Sequence, residues 1–93
     1  MQEKKIPQNI EAEQAVLASM FLSKYALQKC IEELSSDLFY LDKHGKIFDV
    51  IKELSEASRA IDITTVTDEL DKKNLLSQIG DVEYLSEIIN SVA

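Results

Sequence analysis

The sequence predicts an all-α fold: a compact orthogonal bundle of about five to six helices around a central N-terminal helix. Three observations carry this. Apolar residues recur at i, i+3, i+4 and i+7 in successive segments, the spacing that gathers them on one face of a helix. Only two glycines and one proline occur in 93 residues, too few for the frequent turns of an all-β chain. The stretch 10–22, IEAEQAVLASMFL, is apolar almost all round, and a helix of that kind is buried on more than one side.

Residues 1–8 are expected to form a flexible arm, with Pro7 stopping any helix from running back. Residues 9–93 then make one globular head with a modest core. Asn9 caps the first helix. On that helix Ile10, Val16, Leu17, Met20 and Phe21 share a broad face, and Ala12, Ala15, Ala18 and Leu22 cover much of the rest. Glu13 falls inside the large-residue face. A buried carboxylate needs a hydrogen-bonding partner or a raised pKa, and the positive end of the helix dipole favours an anion in the first turn. Ser23 caps a second helix, 24–34, striped by Leu27, Cys30, Ile31 and Leu34. Cys30 in that stripe reads as a small hydrophobe. Tyr25 points away from it.

Ser35, Ser36 and Asp37 make a turn. Leu38, Phe39 and Tyr40 follow as one helical turn or an extended plug that fills a gap between helices. A third helix runs from Asp42 or Lys43 to Ala57. Ile47, Phe48, Ile51 and Leu54 face inward, and His44 lies on the same face one turn earlier. Gly45 costs about 1 kcal/mol relative to Ala, so a loose first turn is expected. Residues 58–61 form a linker. Asp62 caps a fourth helix, 63–73, with Ile63, Val66 and Leu70 inward. Asn74 ends it in the left-handed conformation. Residues 75–79 give a short turn, Gly80 breaks it, and Asp81 caps a last helix, 82–92. Val82, Leu85, Ile88, Ile89 and Val92 face inward there, with Tyr84 at the margin.

The net charge is −7. Residues 61–93 hold seven acids against Lys72 and Lys73. Such a surface repels phosphates and suits a partner with a basic patch, or serves solubility alone. The lone cysteine excludes an internal disulfide and fits a reducing cytoplasm. No stretch is apolar enough to span a bilayer, and the start, MQEKKIPQ, leads to the expectation of no secretion signal.

Glu13 and His44 are single polar groups on apolar faces. Either they lie close in space or each finds a backbone partner, locking the first and third helices together. The sharper alternative is an acid–base pair or a metal site. A metal needs three or four ligands, and neither a second His nor a Cys cluster is present. The pairs Glu32–Glu33 and Glu11–Glu13 read as solvated faces or helix starts, and Lys72–Lys73 is too small for a nucleic-acid patch. The sequence therefore assigns no catalytic, cofactor-binding or metal-binding residue. Exposed Leu22 and Tyr25 are the candidate contacts for a protein partner.

Four groups of residues, in this order, resemble the N-terminal domain of the bacterial replicative DNA helicase, the DnaB family. They are Pro7 with Ile10-Glu11-Ala12-Glu13-Gln14-Ala15-Val16-Leu17; Phe39-Tyr40, His44 and Ile47-Phe48; Ile61-Asp62, Thr65 and Leu70; and Leu76, Gly80 and Tyr84-Leu85. The family often has Gly where this sequence has Ala18, Ser58, Asn74 and Asp81. The resemblance implies a parent enzyme that is a hexameric ring unwinding DNA with ATP and Mg, its motor in a C-terminal RecA-like domain. The sequence contains no GxxxxGK[ST] phosphate loop, so no ATP site is expected within these residues. The family's long helical hairpin, which pairs subunits, is expected to lie beyond residue 93. The head itself would join a collar, recruit primase through the primase C-terminal domain and meet the helicase loader, without touching nucleic acid. Two other readings compete. One is a stand-alone helical adaptor. The other is a helix-turn-helix-like DNA-binding domain built on the third and fourth helices, which the acidic charge disfavours.

Overall fold

A computed structural model describes residues 9–91. The predicted arm at 1–8 and the inward-facing role of Val92 fall outside them. The described residues form six α-helices and one 3-10 turn: α1 (Ile10–Leu22), α2 (Lys24–Glu33), the 3-10 turn Ser36–Leu38, α3 (Asp42–Glu56), α4 (Ile63–Lys72), α5 (Leu76–Ile79) and α6 (Asp81–Asn90). No strand occurs among them, so the fold is all-α as predicted. No helix among them is long and apolar enough to cross a membrane.

Caps set the helix starts. Asn9 Oδ1 accepts from the Ala12 N–H at 3.1 Å, and Ser23 Oγ accepts from the Ala26 N–H at 3.1 Å. Asp62 and Thr65 form a reciprocal capping box at the head of α4, satisfying two backbone donors that a bare helix end leaves unpaired. This box holds a helix whose run of threonines has little helical preference.

Helix α1 packs against α2, α3 and α6, the central place its composition predicts. Its buried stripe of Glu13, Leu17, Ala18 and Met20 is narrower than the apolar pattern suggests, because Ala12, Ala15 and Leu22 are exposed. Helix α3 shares the centre. It touches the 3-10 turn, α1, α4 and α5, and it buries His44, Gly45, Ile47, Phe48, Val50, Ile51 and Leu54. Phe39 is buried beside it as a plug, its ring 5.4 Å from that of Phe48. The one-turn helix begins earlier than predicted, at Ser36, and leaves Phe39 extended and Tyr40 in a bend.

Gly45 departs from expectation. It is buried, and a Cβ built there would sit 2.9 Å from the backbone oxygen of Ser36. The glycine is the point where α3 approaches the 3-10 turn, not a loose first turn. Because the atom in the way is backbone, Gly45→Ala is expected to cost about 1–3 kcal/mol in urea unfolding.

Asp81 also departs from its predicted role. The helix starts at Asp81, the preceding cap is Gly80, and no side-chain cap bond forms. A capping side chain needs extended backbone at its own residue, whereas Asp81 has φ 67°. Ser58 (φ 59°) and Asn74 (φ 61°) are left-handed too. The resemblance to the helicase domain implies glycine at these three positions and at Ala18. An L side chain other than Asn or Asp costs roughly 1–2 kcal/mol in that region, partly offset by glycine's greater freedom when unfolded. Ser58→Gly is therefore expected to stabilise the fold by about 0.5–1 kcal/mol, read as a raised urea midpoint. Ala18 is the exception: it is fully buried, and its methyl fills space in the core.

Candidate functional site

The packing of α1, α3 and α6 brings three polar side chains together inside the core. Glu13 comes from the first turn of α1, His44 from the first turn of α3, and Tyr84 from the first turn of α6. His44 Nδ1 lies 2.8 Å from Glu13 Oε1, and His44 Nε2 lies 2.7 Å from the Tyr84 hydroxyl. His44 is fully buried and Glu13 nearly so. The second Glu13 oxygen accepts from the Tyr40 N–H at 2.5 Å, while the Leu41 N–H donates to the first over a longer 3.4 Å. Those donors precede the start of α3, whose cap residue Leu41 offers no side-chain acceptor. Glu13, from another helix, accepts from the two residues that lead into α3. Its carboxylate thus faces the positive ends of both α1 and α3, which offsets part of the cost of burying it.

The donors fix the imidazole tautomer. Nδ1–H donates to the carboxylate, Nε2 accepts from the Tyr84 O–H, and the Gln14 side-chain N–H donates to the same phenol oxygen at 3.1 Å. This assignment satisfies each group with a neutral imidazole. The Tyr84 ring stacks on His44 with centroids 5.8 Å apart, and the Lys43 ammonium lies 3.7 Å from the Tyr84 ring centroid. Gly80 leaves room for this placement, because a Cβ there would lie 2.9 Å from Tyr84 Cβ.

Burial pushes the His44 pKa below its ordinary value; the Glu13 hydrogen bond and charge pull it up less strongly, and Lys43 adds to the fall. The unfolded chain then binds the proton more tightly than the fold does. Stability from this group is present above the ordinary histidine value of about 6.5 and declines as pH falls below it, by at most about 1.4 kcal/mol per pH unit. His44 is the one histidine in the sequence. Thermal melts at pH 7.5, 6.5 and 5.5 are expected to show a lower Tm at 5.5, and the His44→Gln variant to lose that dependence.

The arrangement is suited to clamping rather than turnover. Both His44 nitrogens are engaged. A mainly apolar cavity of about 200 Å³ borders Glu13, between Ala12, Val16, Leu34, Leu38 and Phe39, but neither His44 nor Tyr84 lines it. No group of three or more His, Cys, Asp or Glu residues able to hold a metal occurs among the described residues. Cys30 is half-buried, and burial pushes its thiol pKa up, away from the reactive thiolate.

Sequence reasoning singled out Glu13 and His44 but left Tyr84 at the margin and missed Gln14. A usable signal was present: a half-buried tyrosine needs a partner for its hydroxyl, and Tyr84 follows Gly80 by one helical turn. Leu22 and Tyr25 lie apart from this network, on either side of the α1–α2 corner, with 61% and 75% of their surface exposed. Lys73, the C-cap of α4, pairs with Glu53 of α3 at 3.0 Å, and that carboxylate raises the lysine pKa.

Comparison with known proteins places this arrangement in context. Residues 5–93 match the family described as the DnaB-like helicase N terminal domain. The sequence is 45% identical over 86 residues to the replicative DNA helicase DnaC of Bacillus subtilis, covering 92% of this chain and 19% of that one. It is 42% identical over 87 residues to the replicative DNA helicase DnaB of Rhodothermus marinus, covering 94% of this chain and 9% of the relative. Among solved structures, the N-terminal domain of DnaB helicase from Mycobacterium tuberculosis superposes with a TM-score of 0.89 at 39% identity, covering 94% of this chain and 60% of that one. The chain spans about a fifth or less of the length of these two helicases.

Proposed function

The chain belongs to the family of DnaB-like helicase N-terminal domains, and we propose that it acts as the interaction head of a cytoplasmic replicative DNA helicase. It joins the collar of a hexameric ring, recruits primase through the primase C-terminal domain, and meets the helicase loader. It performs no chemistry and contacts no nucleic acid. The parent protein unwinds DNA with ATP and Mg held by a separate motor domain. One observation carries this reading: the family match runs over residues 5–93, with a TM-score of 0.89 to a solved domain of the same family. Two features support it. The polar network is closed within the core, and the exposed apolar side chains Leu22 and Tyr25 sit on an acidic molecule.

Titrating the isotope-labelled domain with the cognate primase C-terminal domain tests the proposal. Saturable shifts of a contiguous set of surface amides are expected, with the core amides unmoved. Absence of any shift at several hundred micromolar primase domain sinks it. A parallel titration with duplex DNA addresses the DNA-binding reading, for which salt-sensitive shifts on α3 and α4 are required. A stand-alone adaptor has no motor, so a phosphate loop encoded downstream of residue 93 in the same gene speaks for the helicase.

A further inference from the structure

We infer that the corner between α1 and α2 is a docking site for an acidic amphipathic helix of another protein. Two grooves meet there. One, of about 640 Å³, lies between the end of α1, the start of α2 and the 58–61 connection. The other, of about 300 Å³, lies between α1, the start of α4 and the end of α6. Phe21, Leu22 and Ile61 line both grooves, so Leu22 stands as an exposed ridge between two hollows. Successive apolar side chains on one helix face, four residues apart, straddle a ridge of that kind as the hole around a knob.

The charge selects the partner. The sequence has 17 acids against 10 Lys and Arg, yet the first groove is lined by Lys24 and Arg59 and by no carboxylate among the described residues. Lys24 makes no ion pair among the described residues, and Arg59 has only a long 4.0 Å contact with Glu69. The one carboxylate of the second groove, Asp62, is committed to the Thr65 N–H at 2.8 Å. A helix with leucines four apart and flanking glutamates fills both hollows and meets both cations. This surface shares Leu22 with the proposed recruiting role but does not rest on primase as the partner, and its test uses a different ligand.

The probe is a stapled helical peptide with two leucines four residues apart, flanked by glutamates, titrated into the isotope-labelled domain. Its control replaces each glutamate with lysine. The acidic peptide is expected to shift the amides of Leu22, Lys24, Arg59 and Ile61 saturably, with the lysine control at least ten-fold weaker. K24E/R59E is expected to weaken the acidic peptide at least ten-fold and to strengthen the control. Leu22→Ser weakens both peptides. All three side chains are exposed, and unchanged melting temperatures show that the variants fold. Equal binding of the two peptides overturns the inference, as do shifts centred elsewhere or no shifts. Concentration-dependent broadening of the same amides without peptide overturns it in favour of a second copy of this chain. The same amides responding to single-stranded oligothymidylate overturn it in favour of nucleic acid.

Discussion

Glu13→Ala is expected to destabilise the domain by about 3 kcal/mol, lowering Tm by roughly 15 °C. The alanine leaves three donors without their acceptor: His44 Nδ1–H and the backbone N–H groups of Tyr40 and Leu41. His44 is fully buried, so no water reaches its nitrogen in the native packing and the desolvation cost stands uncompensated. The loss also frees the segment that leads into α3, so the effect spreads to a helix about thirty residues away in sequence. Truncating both partners, as Glu13→Ala with His44→Leu, is expected to cost about 1–2 kcal/mol less than the sum of the single changes, because the second removes a donor the first has orphaned. Urea unfolding of the four variants measures this coupling. A neutral Glu13→Ala variant places the weight of α1–α3 docking on apolar contacts alone.

Phe48→Ala is expected to cost about 4 kcal/mol, the usual range for emptying a buried aromatic site. A domain of this size has a total stability of about 5–14 kcal/mol, so the variant sits near unfolding. Phe48 is fully buried and its ring supports that of Phe39. Phe39 in turn precedes the two backbone donors that reach Glu13. Cavity and network therefore fail together. Tyr25→Ala, at an exposed ring, is expected to change stability by no more than about 0.5 kcal/mol in the same urea experiment.

The helices were legible where local chemistry decides them. Both ends of α1 follow from Asn9 and Ser23 as caps and from the dense apolar run between them. The left-handed Asn74 was legible for the same reason, since Asn tolerates that backbone at a helix end. What the sequence hides are contacts between distant segments. Gly45 reads as a weak helix start until the carbonyl of Ser36 is seen against it. Asp81 reads as a cap until the backbone at Asp81 itself proves left-handed. Glu13 and His44 stand out as polar residues on apolar faces, but nothing in their spacing says that Glu13 also serves the backbone of Tyr40 and Leu41. The phenol of Tyr84, seventy residues from Gln14, completes the network by a contact no periodicity encodes. The exposed ridge at Leu22 reads from the helical wheel, whereas the absence of carboxylates from the first groove beside it depends on how α1, α2 and the 58–61 connection meet.

The nitrogen-15 spectrum of the His44 imidazole across the pH range tests most directly whether the core network is a closed clamp. A neutral ring protonated on Nδ1 at pH 7 is the predicted result, with no change until the pH has fallen below the ordinary histidine value. A ring that carries its proton on Nε2, or that titrates like a free histidine, contradicts it.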